Sequence, residues 1–419
     1  MRKYSELKEI SDSLLQYELL QPPFKANGDI VSNFKNRIDC YLEAIDKIRK
    51  DYPDNETIKE VKKRSISITT FSNKISETLT HYLNGNIKEA YNTFNQAIIG
   101  SPAMKNHIYQ MTVPLTKLCN RRTPLFRVRK SENILKNREE LFHIPFSQRH
   151  LVSAQRFSVS GLPCLYLGTS IFVCWQEMGK PDFDKLYISS FITEDESSQI
   201  RILDLGYNLT SALRSTPSEH SFSFEPERID EYNNENYSDF PDPINDKVSK
   251  LIAWPLVLAC NYTKDHEHAN FHKEYIIPNL LMQWISSDSN KDISGISYRS
   301  TKILNQKDSD IGINVILPPK MERITVPNTL YCPELKRIFK VTNPVSWAVF
   351  STLKATPNFH SPTAVRYQTN GPAKGWIEDF DESLVEYYDN TTFRKVEVLI
   401  HQMMKHEHLP DGGNLAAES

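Results

Sequence analysis

The sequence lacks long apolar runs and contains little glycine. None of its uninterrupted apolar stretches approaches the roughly 18 residues that a transmembrane helix needs, and the first twenty residues carry charges at helical intervals in place of a signal-peptide core. Glycine accounts for only 13 of the 419 residues and proline for 24, which excludes collagen-like and low-complexity chains. We therefore expect a soluble, cytoplasmic, globular protein that does not bind membranes.

An excess of charge of one sign is also absent. The chain has 50 Lys and Arg residues against 52 Asp and Glu residues, a formal net charge of −2. Because there is no overall positive field, we expect no direct binding of nucleic acid. The 20 Phe, 19 Tyr and 5 Trp residues provide enough large side chains for a sizeable core.

Specific metal-binding spacings and the common catalytic motifs are missing as well. The six cysteines form no CxxC pair, so we interpret them as buried, reduced thiols. Among His266, His268 and His272, the last two have the spacing of one helical face, but it fits no specific zinc pattern, and we predict no metal site. A P-loop, GxGxxG and GxSxG do not occur, which argues against P-loop NTPases, dehydrogenases and common hydrolases.

Residues 1–115 have the periodicity of a helical domain. Apolar residues recur at spacings of three and four, and each such stripe would bury one face of an amphipathic helix. The stripes are Phe34, Ile38, Tyr41, Ile45 and Ile48; Val61, Ile68, Phe71, Ile75, Leu79 and Tyr82; and Ile87, Ala90, Phe94 and Ala97. We predict an N-terminal all-α domain, whose role as an inhibitor in cis, a sensor or a recognition surface stays open.

From about residue 120 to 320, short apolar runs alternate with helical ones. We predict helices over 170–178, 248–260 and 275–285, the first capped by Ser170 or Thr169 and followed by Gly179. The predicted strands cover residues 125–128, 164–167, 186–191, 200–203, 295–298 and 314–317. This mixture indicates an α+β domain.

Two segments after residue 200 differ in composition from that domain. Residues 217–247 hold nine acidic residues, two basic ones and four prolines, which predicts an exposed acidic insertion. Residues 321–408 contain further apolar helical periods and predict a C-terminal appendage packed on the core. We expect residues 409–419 to form a disordered tail.

Four segments of the predicted α+β domain resemble the RES-domain family, which consists of toxin-like proteins named for an Arg, a Glu and a Ser. The segments are LFRVR at 125–129, QRFSVSGLPCLYLGTSIFVCWQEM at 155–178, GISYRSTK at 295–302 and INVILPP at 313–319. The second is the most specific, because it combines an Arg–Phe pair, a Gly–Leu–Pro turn, a Leu-Tyr-Leu strand and a helix that carries Glu. The resemblance covers about half of the chain, so both flanking regions lie outside it.

The family's site residues can be carried over where these motifs match. They fall on Arg127, Arg156, Tyr166, Glu177 and Ser300 of this chain. The acidic insertion lengthens the interval between Glu177 and Ser300, which leaves Ser297 as the alternative for the serine.

The resemblance implies an α+β fold with a mixed sheet, like that of the ADP-ribosylating toxins, and the degradation of NAD. Glu177, Arg127 and Ser300 would be catalytic, with Glu177 stabilising the positive charge that develops on the ribose as nicotinamide leaves. Arg127, Arg156, Tyr166 and Ser300 would bind NAD. Guanidinium groups suit the pyrophosphate, a tyrosine ring suits nicotinamide, and a hydroxyl can donate to ribose or phosphate.

The acceptor of the ADP-ribosyl group stays open. Phosphate would make the chain an NAD phosphorylase and water an NAD glycohydrolase, whereas a macromolecule would make it an ADP-ribosyltransferase. Phosphate needs a second anion pocket, for which Arg149, Arg299 and Lys302 are spare cations near the motifs. We expect no cofactor beyond NAD as substrate, with inorganic phosphate as the co-substrate of a phosphorylase.

The family also bears on partners. Its members work as toxins that a separate protein neutralises, so the resemblance implies an antitoxin or immunity-type partner for this chain. A non-catalytic interaction protein of toxin ancestry is the remaining alternative.

Overall fold

The computed structural model describes residues 2–194, 199–214, 243–287, 290–302, 312–320, 330–353 and 388–410. Residues 217–242 of the predicted acidic insertion and residues 411–419 of the predicted tail lie outside these ranges. The exposed insertion is wrong for residues 243–247, which begin a helix in which Lys247 is buried, and the disordered tail is wrong for Leu409, which is buried. Within the described ranges, no helix is both long enough and apolar enough to cross a membrane.

The first 118 residues are mainly helical, as predicted. The helices are α1 Arg2–Leu14, α2 Ile30–Asp51, α3 Glu56–Lys63, α4 Ser65–Leu83, α5 Ile87–Ile99, α6 Pro102–Gln110 and α7 Leu115–Leu118. Two short strands lie between them, β1 Phe24–Lys25 and β2 Thr112–Pro114.

The predicted apolar stripes mostly face the core. All five residues of the first stripe are buried in α2, which begins after Asp29, whose carboxylate accepts a hydrogen bond from the Ser32 N–H (2.8 Å). The second stripe is divided between α3 and α4 at Arg64. Ile87 of the third stripe is 47% exposed at the start of α5, while its three partners are buried.

The later helices include one correction. They are α8 Ile171–Glu177, α9 Leu209–Arg214, α10 Pro243–Ile252, α11 Trp254–Cys260, α12 Ile276–Ser286, α13 Pro333–Ile338, α14 Trp347–Leu353 and α15 Thr392–Met403. The single helix predicted over 248–260 is wrong, because α10 ends at Ile252 and α11 begins at Trp254. Pro255 has no N–H to donate to the carbonyl four residues earlier, which belongs to Leu251. That carbonyl instead accepts a hydrogen bond from the hydroxyl of Tyr41 in α2 (2.6 Å).

A mixed β-sheet forms the centre of the molecule, and the predicted α+β class is confirmed. The later strands are β3 Leu125–Lys130, β4 Leu165–Gly168, β5 Leu186–Thr193, β6 Arg201–Asp204, β7 Tyr262–Thr263, β8 Gly295–Arg299, β9 Ile313–Leu317, β10 Phe339–Val341 and β11 Val345–Ser346. The sheet order is β10-β5-β3-β4-β9-β8-β6-β2, with β11 also on β5. The β6–β8 pair is parallel and the other pairs of this sheet are antiparallel. Each predicted strand matches an observed one within two residues.

The N-terminal helices share one hydrophobic core with the rest of the molecule. This core combines α1–α6 with α9–α12 and with sheet residues such as Leu203, Ile296 and Ile316. Strand β2 belongs to the central sheet through its pairing with β6. A domain boundary near residue 115 stays a prediction, and the packing across it is continuous.

The C-terminal elements also join the central sheet. Strands β10 and β11 both pair with β5 and extend one side of the sheet. Helix α15 packs against α8 through Val396 and Ile400, which are buried with Phe172, whereas Met403 is 71% exposed. The segment predicted to be an appendage therefore contributes two strands and a supporting helix to the fold.

Candidate functional site

A cavity of about 900 Å³ lies beside the middle of the sheet. Its walls include residues from β3, β4, α8, β8 and β9, together with loops near 151–163 and 263–275. Four of the predicted site residues line it: Arg127, Arg156, Tyr166 and Glu177. Residues that are up to 50 positions apart in sequence therefore meet at one concave surface, although their functional roles stay predictions.

Helix α8 carries Glu177 to the cavity. Ser170 caps this helix by accepting a hydrogen bond from the Val173 N–H (3.0 Å), as predicted. Gly179 adopts a φ of 79° just beyond the helix, a conformation that glycine reaches without strain. The sequence therefore ends the helix close to Glu177, whose side chain is partly buried.

The helix approaches the sheet closely because of Gly168. A Cβ atom at Gly168 would lie 2.5 Å from Cγ1 of Val173 and 2.7 Å from Sγ of Cys174. Strand β4 thus ends in a residue without a side chain where the first turns of α8 pass over it. The close contact at Gly168 therefore sets the distance between α8 and strand β4, both of which line the cavity.

The side chain of Glu177 is oriented by a neighbouring strand. Its Oε1 accepts a hydrogen bond from Nδ2 of Asn314 in β9 (2.9 Å), and Asn314 is buried. Its backbone carbonyl accepts a hydrogen bond from Nζ of Lys302 (3.0 Å). Among the described residues the other carboxylate oxygen has no hydrogen-bond partner, so it can accept a hydrogen bond from a ligand in the cavity.

At the opposite end of α8, a buried carboxylate holds the helix. Glu397 of α15 accepts a hydrogen bond from the backbone N–H of Ile171 (2.7 Å) and another from the hydroxyl of Tyr388. Arg394 lies 3.6 Å from its other oxygen. Burial raises the pKa of Glu397 to about 7, and the charge of Arg394 opposes that effect. Glu397 therefore satisfies a backbone N–H in the first turn of the helix that presents Glu177.

Arg127 has the character of an anion-binding group. It lies in β3, and its Nη1 donates a hydrogen bond to the backbone oxygen of Tyr166 (3.1 Å). Burial, with the nearby charge of Arg129, lowers its pKa to about 10, so the guanidinium is still charged at neutral pH. Within the described residues it forms no ion pair with a carboxylate. An uncompensated cation on a cavity wall favours an anionic ligand.

Arg156 is more heavily used by the protein itself. Its Nη1 donates to the carbonyl oxygens of Cys260 (3.1 Å) and Tyr262 (2.7 Å), and its Nη2 donates to Oγ1 of Thr301 (2.9 Å). The guanidinium also lies 5.0 Å from the centre of the Tyr275 ring. Arg156 therefore joins three wall segments, and fewer of its donors remain for a ligand than the sequence analysis assumed.

Three tyrosines give the cavity aromatic surfaces that stay uncharged. The hydroxyl of Tyr166 donates a hydrogen bond to Oγ of Ser158 (2.9 Å). Burial raises the pKa values of Tyr166 and Tyr298 well above their usual range and that of Tyr275 to about 12, and the charge of Glu177 adds to each shift. All three phenols are neutral at physiological pH.

The structure does not place either candidate serine on the cavity wall. Ser297 is fully buried in β8 and donates a hydrogen bond to Oδ1 of Asp204 (3.0 Å), on the opposite side of the strand from Tyr298. Ser300 is also buried, and its Oγ accepts a hydrogen bond from the Lys302 N–H (3.2 Å). Its contact stabilises the turn that brings Thr301 and Lys302 to the cavity.

Sequence reasoning missed several wall residues. Asn314 and Tyr298 lie within the quoted motifs but carry no distinguishing spacing, and Tyr275 lies outside them. A signal existed for Asn314 and Tyr298, since both alternate with apolar residues in predicted strands and would share a face with their neighbours two positions away. Of the three spare cations, Lys302 lines the cavity, whereas Arg149 and Arg299 do not.

Positive charge dominates the described residues that line the cavity. Six cationic side chains stand against two carboxylates, although the whole chain has a formal net charge of −2. The cationic residues are Lys25, Arg127, Arg156, Lys180, Lys264 and Lys302, and the carboxylates are Glu177 and Glu267. A concave wall of one sign concentrates ligands of the opposite sign.

The histidine segment does not form a helix. Residues 264–272 are turns and irregular backbone, so His268 and His272 do not share a helical face. Among the described residues, no group of three or more His, Cys, Asp and Glu side chains could hold a metal ion.

One comparison with known proteins found a relative of this chain. Over 340 residues the chain is 28% identical to a Bacillus subtilis (strain 168) protein named "Putative toxin YopC", a match that covers 80% of this chain and 70% of that protein. No family model matches the chain, and no solved structure matches it. The chain is thus similar, across most of its length, to a protein whose name describes a toxin.

Proposed function

We propose that this chain is a toxin-like enzyme that consumes NAD by cleaving the bond between nicotinamide and ribose. The observation that carries the proposal is that Glu177 shares one cavity with Arg127, Arg156 and Tyr166. The volume of about 900 Å³ is near the upper end of the roughly 300–1,000 Å³ range of small-molecule sites. The similarity to a protein named a toxin agrees with this proposal.

The arrangement of the sheet supports a RES-like core within this proposal. The four segments that resemble the RES-domain family supply the neighbouring strands β3, β4, β9 and β8 and the helix α8. Sequence-distant motifs therefore lie side by side, as a shared site requires. The proposal includes an ADP-ribosyltransferase-like core, because the resemblance to the RES-domain family implies that fold.

Glu177 is the proposed catalytic residue. When the bond between C1′ of the ribose and the ring nitrogen breaks, its electron pair moves to the nitrogen and neutralises the pyridinium, so that nicotinamide leaves without a general acid. Positive charge then develops on the ribose, where a carboxylate stabilises it. Asn314 holds one oxygen of Glu177, and the other oxygen is free to accept a hydrogen bond from a ribose hydroxyl.

The two arginines have different proposed roles, ligand binding for Arg127 and stabilisation of the cavity wall for Arg156. Arg127, with no described carboxylate partner, binds the pyrophosphate, since guanidinium groups pair with phosphate oxygens through parallel hydrogen bonds. Arg156 holds the wall together through Cys260, Tyr262 and Thr301 and adds its charge to the cavity. Tyr166 provides a neutral ring for nicotinamide.

Phosphate or water forms the new bond at C1′. The product is a phosphorylated ADP-ribose in the first case and ADP-ribose in the second, with the displaced proton of water passing to Glu177 or to solvent. An antitoxin-like protein is the proposed partner, because such an activity would exhaust the NAD of the cell that makes it.

The test is to incubate the full-length protein with NAD in buffers with and without phosphate and to measure free nicotinamide and the ribosyl product by chromatography. We expect nicotinamide release with a product that identifies the acceptor. Folded protein that releases no nicotinamide above background in either buffer would reject the proposal. If labelled ADP-ribose appears on a macromolecule when lysate is added, the activity is that of a transferase instead.

A further inference from the structure

Two lysines from different parts of the chain meet at the rim of the cavity. Lys264 follows β7, and Lys302 follows β8. Both line the cavity, and their side chains are 21% and 28% exposed. Neither belongs to the set of residues expected to bind NAD.

Glu267 lies between these two ammonium groups. Its Oε1 is 3.9 Å from Nζ of Lys264 and 3.7 Å from Nζ of Lys302. These distances exceed those of a direct hydrogen bond, and the carboxylate side chain is 57% exposed. An exposed acid at such distances forms a weak pair, so another anion can replace it at little cost.

The side chains of the two lysines contact other cavity residues, which distinguishes them from ordinary surface lysines. Nζ of Lys302 donates to the carbonyl of Glu177 (3.0 Å), and Nζ of Lys264 lies 5.6 Å from the centre of the Tyr275 ring. Lys273 ties the intervening loop down through Asp265 (2.6 Å) and through the backbone oxygen of Gly28 (2.6 Å).

The N-terminal region completes this rim. Strand β1 pairs in parallel with β7, in a register that sets Lys25 opposite Thr263. Lys25 and Thr263 both line the cavity next to Lys264. A third lysine therefore lines the same cavity, on the strand that pairs with the one leading to Lys264.

We propose that Lys264, Lys302 and Lys25 form a phosphate-binding subsite whose resident counter-ion is the carboxylate of Glu267. The ligand is a phosphate group, either free phosphate that acts as acceptor or the pyrophosphate of the dinucleotide. Binding displaces the Glu267 side chain towards solvent and brings the anion within reach of Nζ of Lys302. This ammonium group also donates a hydrogen bond to the backbone carbonyl of Glu177, the proposed catalytic residue. The identity of the ligand rests on the proposed function, whereas the subsite itself can be tested without turnover.

The test measures binding by calorimetry, with the full-length protein at low ionic strength. Inorganic phosphate and ADP-ribose are titrated separately into the wild type and into the variants Glu267→Gln and Lys264→Met. We expect Glu267→Gln to bind the anion about two- to fivefold more tightly, because a weak competing ion pair is lost. Lys264→Met should bind it about tenfold more weakly, since a charged donor is removed.

The matched controls are Lys59→Met and Glu56→Gln. Lys59 is also a partly exposed lysine with carboxylates at 3.7 and 3.9 Å, but it lies on α3. Both control variants should bind the two anions like the wild type. Changed binding in the controls would mean that the effect is one of overall charge and would overturn the subsite.

The two ligands distinguish the source of the phosphate. If the substitutions change the affinity for inorganic phosphate, the subsite binds the acceptor. If they change only the affinity for ADP-ribose, the subsite binds the pyrophosphate. If neither Glu267→Gln nor Lys264→Met changes the affinity for either ligand, the subsite is rejected, even if the wild type consumes NAD. If phosphate binding responds but nicotinamide is never released, the subsite stands and the proposed function fails.

Discussion

Glu177 has surroundings that an ordinary acid at a helix end does not have. Asn314 fixes one of its oxygens, and neutral tyrosine rings share its cavity. A carboxylate held in this way needs little reorganisation when positive charge develops on a bound sugar. The geometry around this one side chain is the reason why Glu177 is the proposed catalytic residue.

Replacing Glu177 by Gln should remove most of the nicotinamide release and leave the fold intact. The amide keeps the size and a hydrogen-bond acceptor but loses the charge that stabilises the ribosyl cation. We expect kcat to fall by about 100- to 1,000-fold, the usual cost of losing one electrostatic stabiliser. The measurement is steady-state nicotinamide release, together with a thermal melting curve. Glu89→Gln, an exposed acid on α5, is the control, and undiminished turnover in Glu177→Gln would exclude Glu177 from the mechanism.

Glu397 gives the molecule a pH dependence with a defined sign. Its folded-state pKa is raised from 4.5 to about 7, so between these values the folded protein binds a proton that the unfolded chain has lost. Its contribution to stability is therefore most favourable below pH 4.5 and is lost as the pH rises through 7. At most about 3–4 kcal/mol is involved, because the pKa rises by about 2.5 units and one unit corresponds to about 1.4 kcal/mol. Arg394, Tyr388 and Asp389 are the charged or titratable neighbours that moderate it.

Denaturant titrations between pH 5 and 8 measure this contribution. Glu397→Gln keeps an acceptor for the Ile171 N–H but cannot titrate, so its free energy of unfolding should fall less than that of the wild type as the pH rises. Parallel pH profiles of the two proteins would contradict the assignment.

Not every residue role could be predicted from the sequence. Arg127, Arg156, Tyr166 and Glu177 were predicted because they lie in motifs with a family order, and all four line the cavity, while their roles stay predictions. The hydroxyl of Ser300 supports a turn instead of lining the cavity. Asn314 was missed because hydrogen bonds across a sheet depend on strand order, which local spacing does not contain.

At the scale of elements, helix α8 and strand β4 work as one unit joined at Gly168. Substituting alanine there would place Cβ within 2.5 Å of Val173, a contact that only movement of the helix can relieve. We expect Gly168→Ala to lower the free energy of unfolding by about 1–3 kcal/mol and to reduce kcat by displacing Glu177. Chemical denaturation and nicotinamide release together measure both effects.

A double-mutant cycle provides the control for Gly168→Ala. Val173→Ala removes the nearer of the two atoms that clash, the other being Sγ of Cys174, so the double variant should be more stable than the sum of the two single effects predicts. Simple additivity would show that the contact is not the cause.

Element boundaries were predictable where periodicity and caps act locally. The strands were found within two residues, and the start and end of α8 follow from Ser170 and Gly179. The break at Ala253 was missed, because Pro255 acts on the carbonyl of Leu251 and the compensating donor, Tyr41, is 210 positions away. Such long-range partners decide whether a helix continues, and a sequence window does not contain them.

For the whole molecule, the shared core determines what truncation would do. Removing residues 1–110 would expose buried side chains of α10–α12, such as Leu251, Trp254 and Leu281. Each large apolar side chain left in water costs roughly 1.5–3 kcal/mol, so five of them match the 5–15 kcal/mol that stabilises a typical protein. We therefore expect the truncated chain to aggregate instead of gaining activity.

Size-exclusion chromatography and circular dichroism of the 111–419 fragment test this expectation. A monomeric, folded fragment that consumes NAD faster than the full chain would contradict it and would favour an N-terminal inhibitor in cis. Tyr41→Phe is a milder probe of the same interface, with an expected loss of about 1 kcal/mol.

The order of strands in the sheet has one more consequence. The portion before Arg214 supplies β4 and β6, and the portion after Pro243 supplies β8 and β9, which lie between them. Glu177 and its partner Asn314 are thus on opposite sides of any break made in the intervening peptide. Two separately produced halves would each lack part of the cavity wall, and only their reassembly would restore it.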